Sequence, residues 1–74
     1  MQKEILEHYL KYKNHDEPSL RIIIEAAEEH MSEQQKFIAK GIHAKLLNQK
    51  EIYTSLENIK LKTAAYFYAL EKKR

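Results

Sequence analysis

The chain has no cysteine and no tryptophan, and only one glycine and one proline in 74 residues. Without cysteine, neither a disulfide nor a thiolate metal site is open to it. With so little glycine and proline, the tight turns that join short strands are scarce, which argues against an all-β fold. No apolar run approaches the ~18 residues that a bilayer span requires. Residues 1–14 interleave Glu4, Glu7, Lys11 and Lys13 with their apolar positions, so they do not read as a signal peptide. A cytoplasmic protein without membrane contact is the expectation. The net charge is only +2, too small to imply nucleic acid unless basic residues gather on one face. Charge is unevenly spread. Glu25, Glu28 and Glu29 make the middle acidic, while Lys60, Lys62, Lys72, Lys73 and Arg74 make the C-terminal end basic.

Apolar residues make up 43% and charged residues 32%, a balance that suits a folded domain and not a disordered tail. One domain this short buries a modest share of its surface, so a partner chain is expected to help hold it, a second copy among the options. The apolar residues recur at helical spacing. Residues 2–13 carry Ile5, Leu6, Tyr9, Leu10 and Tyr12; Pro18 then marks a break and suits the first turn of a second helix over residues 18–31. There Leu20, Ile23, Ile24, Ala27 and Met31 form the inner stripe, and Ile22 and Ala26 widen it. Ser32-Glu33-Gln34-Gln35 matches a capping box that opens a third helix over residues 33–47, with Ile38, Ile42 and Leu46 inward and Phe37 at the edge. Gly41 sits mid-helix and costs about 1 kcal/mol relative to alanine; close helix approach or a kink would explain it.

Beyond Leu47 two readings stay open. Asn48-Gln49-Lys50-Glu51 can cap a new helix starting at Gln49. Alternatively, the seam through Ile38, Ile42, Leu46, Gln49, Ile52 or Tyr53, Leu56, Ile59, Thr63, Phe67 and Leu70 can belong to one long helix suited to an intermolecular coiled coil. The break is favoured, because Gln49 interrupts the seam where the cap falls. The fold expected is therefore all-α, a small bundle of three or four helices in a single domain. Its core would be Leu6, Tyr9, Leu10, Leu20, Ile23, Ile24, Ala27, Ile38, Ile42, Leu46, Ile52, Leu56 and Phe67.

Chemistry-bearing patterns are few. Of His8, His15, His30 and His43, only His8 has a helical ligand neighbour, Glu4, and no HExxH occurs. Ser19 and Ser32 stand at helix starts, where capping explains them, and no glycine-rich phosphate loop exists. A non-enzymatic protein with no metal, cofactor or small-molecule substrate is expected. The run Tyr66-Phe67-Tyr68 spans more than half a helical turn, so at least one ring should be exposed in a monomer. Exposed rings stack on bases or anchor protein interfaces.

From Met31 onward the sequence resembles the promoter-binding helix-turn-helix of bacterial sigma factors, their region four. The resemblance is carried by Met31-Ser32-Glu33-Gln34-Gln35-Lys36, by Asn48-Gln49-Lys50-Glu51-Ile52 at the family's usual distance, by Leu56, by Lys60-Leu61-Lys62-Thr63-Ala64, and by the basic ending Leu70-Glu71-Lys72-Lys73-Arg74. Tyr53 and Glu57 depart from it, standing where the family has a small residue and a turn glycine. The resemblance implies a DNA-binding transcriptional regulator in which Gln49 and Lys50 touch phosphate, while Lys60, Lys62, Thr63 and Tyr66 face the groove. The alternative is a helical protein–protein interaction module: an inhibitor, adaptor or immunity-type protein, acting as a dimer. Its apolar face would comprise Tyr53, Tyr66, Phe67, Tyr68 and Leu70.

Overall fold

The computed structural model describes residues 3–49 and 53–71. Four helices follow one another: α1 (Lys3–Lys11), α2 (Glu17–Glu29), α3 (Glu33–Leu47) and α4 (Ser55–Glu71). No strand occurs among the described residues, so the protein is an all-α bundle. No described helix is long and apolar enough to cross a membrane.

The helix boundaries follow from local capping. Asp16 caps α2, its carboxylate accepting from the Ser19 backbone N–H at 2.9 Å, so the cap is Asp16 and not Ser19. Pro18 lies in the first turn, where its missing N–H is not needed. The capping box at α3 forms in both directions: Gln35 N–H donates to Ser32 Oγ at 3.1 Å, and Ser32 N–H donates to Gln35 Oε1 at 2.9 Å. α3 ends at Leu47, and Asn48 is its C-cap, its N–H donating to the Ala44 carbonyl at 3.1 Å. The single long helix through Asn48 is thereby excluded. Asn48 does not open the next helix either. Thr54 does, by a second reciprocal box: Glu57 N–H donates to Thr54 Oγ1 at 3.1 Å, and Thr54 N–H to Glu57 Oε1 at 3.2 Å.

α4 is the element on which the other three pack. Thr63, Ala64, Ala65, Tyr66 and Ala69 are all buried on it, with Leu61. Those positions point in several directions around one helix, so α4 is covered nearly all round. Its alanines let neighbouring helices come close from different sides. Two apolar clusters result. One joins Ile24, Ala27 and Met31 of α2 and its C-terminal edge to Ala39, Tyr66 and Ala69. The other joins Ile5 of α1 to Leu46, Leu61 and Ala64. α3 runs antiparallel to α4, since Gln35 reaches the Leu70 carbonyl and His43 reaches Asn58.

Several expected core residues lie elsewhere. Leu6, Leu10 and Leu56 are exposed at 41%, 48% and 36%, and Ile52 lies outside the described residues. On α1 the face turned to α4 is Ile5 and Tyr9, continued by Tyr12 in the turn that follows. Leu6 and Leu10 are one residue further round, which rotates them ~100° away. On α2, Leu20, Ile24 and Ala27 point inward; Ile23 is half-buried and Ile22 faces out.

Candidate functional site

α3 separates sharply into two faces. Ala39 and Leu46 are buried, and Ile38 and Ile42 pack half-buried against the two clusters. Phe37, one residue before Ile38, therefore turns away from the bundle and is 79% exposed, more than any other large apolar side chain among the described residues. Gly41 follows one turn later and Ala44 one turn after that, both exposed. A β-carbon added at Gly41 would meet nothing within 4 Å. The glycine thus serves no close approach within the chain, and it adopts no positive φ. The outer face of α3 consists of a projecting ring beside a flat, open stretch, with exposed Lys40 along one flank. Glu33 lies at its N-terminal end, where the helix dipole favours an acid, and Lys45 at its C-terminal end, where the dipole favours a base.

A second feature is a polar line along α4. His43 Nε2 and Asn58 Oδ1 lie 2.9 Å apart. Lys62, one turn on from Asn58, places its ammonium 5.5 Å from the Tyr66 ring centroid, within cation–π range. Burial, and then the nearby Glu28 carboxylate, hold the Tyr66 hydroxyl above its ordinary pKa. Burial likewise pulls His43 below the usual histidine range; Lys62 adds to this and the Asn58 bond opposes it. Between α2 and α4 runs an open groove of about 210 Å³ lined by Arg21, Ile24, Glu25, Glu28, Ile59 and Lys62. It carries both signs of charge, so it concentrates neither. No three His, Asp or Glu side chains among the described residues come together around a point that could hold a metal ion.

The residues expected to touch DNA differ widely in exposure. Gln49 is exposed in the turn after α3, and Lys60 and Lys62 are half-buried on α4. Lys50 lies outside the described residues. Thr63 is 0% exposed, its hydroxyl donating to the Ile59 carbonyl at 2.8 Å. Tyr66 is 1% exposed. Neither can face a groove. The turn expected around Glu57 is absent as well, because Ser55–Glu71 is one helix and Glu57 belongs to its cap.

The residues expected to form the apolar interface also make contacts inside the molecule, Tyr66 buried and Tyr53, Phe67, Tyr68 and Leu70 half-buried. Tyr53 donates its hydroxyl to the Leu46 carbonyl at 2.9 Å. Phe67 stacks on Tyr12 at 5.3 Å between centroids. Tyr68 packs against the Ile5–Leu61 cluster, and Leu70 against the Tyr66 cluster. The three consecutive rings find three different neighbours because α4 is surrounded, so Tyr66 is buried and Phe67 and Tyr68 are half-buried. Phe37 was the informative residue, and its signal was in the sequence: it sits one position off the Ile38, Ile42, Leu46 line. Comparison with known proteins found no matching family, no matching curated protein and no matching solved structure.

Proposed function

We propose that this chain is a non-enzymatic regulatory module that works by gripping another protein through the outer face of α3, with Phe37 as its anchor. The observation that carries the reading is the pairing of a 79% exposed phenylalanine with an open glycine one turn away. Each is unfavourable for the isolated chain. Burying a phenylalanine side chain is worth roughly 2 kcal/mol, and a mid-helix glycine costs about 1 kcal/mol. Isolated exposed apolar residues are ordinary on protein surfaces. Leu6 and Leu10 keep half or more of their surface covered, and Ile22 has no open neighbour of this kind beside it. An aromatic that protrudes next to a flat stretch has the form of a binding anchor, and such anchors dominate interface energetics.

The nucleic-acid reading retains only Gln49, Lys60 and Lys62 among the described residues, and α3's outer face holds acid as well as base. Fluorescence anisotropy on a random duplex tests it: binding that weakens steeply with salt would move the assignment to nucleic acid. The protein reading is tested by placing a photo-crosslinking amino acid at position 37, with position 22, 66% exposed, as the control, in the cells that make the protein. A discrete protein adduct from position 37 and not from position 22 supports it. Indistinguishable adduct patterns at the two positions would sink it.

A further inference from the structure

We propose that α1 is a releasable strap: it covers an apolar face made by α4 and the end of α3, and it lifts off as a unit while α2, α3 and α4 stay folded. This goes beyond the reading of the α3 outer face and does not rest on it. The argument starts from how the core divides. One cluster joins Ile24, Ala27, Met31, Ala39, Tyr66 and Ala69, and none of its described members lies on α1. Tyr12, in the turn after α1, touches its rim by stacking on Phe67. The other cluster is closed from outside by α1, through Ile5 and Tyr9. Removing α1 therefore leaves one core whole and opens the other.

The strap is lightly held. α1 has 9 residues and one fully buried side chain, Ile5, where α2 has three and α4 has six. Its polar tie to α4 is made at the rim, His8 Nε2 lying 3.0 Å from the exposed carboxylate of Glu71, the last residue of that helix. An isolated helix shorter than ~12–15 residues is marginal in water. α1 is therefore helical because it is docked, and leaving the face means melting. Elements with few buried apolar contacts are the ones that open ahead of the whole. The face left behind consists of Ile42, Leu46 and Leu47 of α3 and Leu61, Ala64 and Tyr68 of α4. Ile5 and Tyr9 meet it, and Tyr12 meets the neighbouring Phe67, at the i, i+4 and i+7 spacing of a helix laid into an apolar groove. α1 is the chain's own occupant of that face, which stays closed to any other helix until α1 lifts.

The test is native-state amide hydrogen exchange on the full chain, followed by two-dimensional NMR at urea concentrations below the unfolding transition. Amides of residues 7–11 report on α1, and those of residues 63–69 on the core of α4. The α1 amides are expected to share one opening reaction, with at least about tenfold less protection than the α4 amides. Its urea dependence is expected to be smaller, since less surface is exposed. Two substitutions then separate strap from core. Ile24→Val weakens the cluster that survives lifting, so it should lower α4 protection about threefold or more and leave α1 protection unchanged. Ile5→Val weakens docking, which global unfolding also loses, so it should lower both by the same factor. Exchange of α1 and α4 amides through one reaction of equal urea dependence overturns the proposal. So does an Ile24→Val variant that lowers α1 protection as much as α4 protection. Protection that declines residue by residue toward Lys3, with no urea dependence, is end fraying and overturns the strap as a unit.

Discussion

Replacing Gly41 with alanine should make the isolated chain more stable. The position is mid-helix in α3 and exposed, its φ is not positive, and an added β-carbon meets nothing within 4 Å. No steric term opposes the change. What remains is the backbone freedom that glycine has in the unfolded chain, which alanine reduces, and the better helix propensity of alanine; together these come to about 1 kcal/mol. In a domain of this size that corresponds to a rise in Tm of roughly 4–8 °C. The assay is thermal and urea unfolding followed by far-UV circular dichroism, at concentrations well below any association. The urea midpoint should rise with its slope unchanged. An unchanged or lowered midpoint would refute the reasoning, because it would mean that the glycine serves the fold itself. If the gain appears, this glycine is a residue that the monomer would be better without.

Three further outcomes follow from the internal contacts. Ser32→Ala removes the side-chain half of the α3 capping box and should cost about 1 kcal/mol in urea unfolding, a loss that Ser32→Asp largely avoids. Tyr66→Ala empties a site with 1% exposure at the junction of α2, α3 and α4; a loss of roughly 3–5 kcal/mol, enough to unfold a marginal domain, should appear in the same assay. His43 is held below the ordinary histidine value of 6.5, chiefly by burial, so the unfolded chain takes up the proton first. Its contribution to stability should be complete above pH 6.5 and should be lost as pH falls from there toward the folded pKa. His43→Gln should flatten stability in that window and leave the carboxylate region below it unchanged.

The sequence made the helical class and the inner line of α2 plain, because Leu20, Ile24, Ala27 and Met31 recur at one consistent period and one element covers them. The Ser32 box was legible for a similar reason: capping is settled within four residues. Thr54-Ser55-Leu56-Glu57 carries the same signature at α4, but the helix-turn-helix resemblance assigns Glu57 to a turn and so hides the box. α1 was harder. Ile5, Leu6, Tyr9 and Leu10 offer two adjacent apolar faces, and only the packing partner decides between them. α4 misled most, since its residues point inward on nearly every side. A helix wrapped by three others has no polar face from which to read an orientation, so nothing in the sequence marks Thr63 and Tyr66 as buried. The candidate site is visible in the sequence only as an oddity, an aromatic one step off the α3 stripe and a glycine whose expected close approach is not made within the chain. Their shared exposed face emerged once α3 was docked on α4.

The claim that α3's outer face is the contact surface is most directly tested residue by residue, by moving the photo-crosslinking amino acid along the chain in the cells that make the protein. The account predicts discrete protein adducts from the positions of Glu33, Phe37, Gly41 and Ala44 and none from those of Leu10 and Ile22. Adducts confined to α1 or α2, with the α3 positions silent, would contradict it.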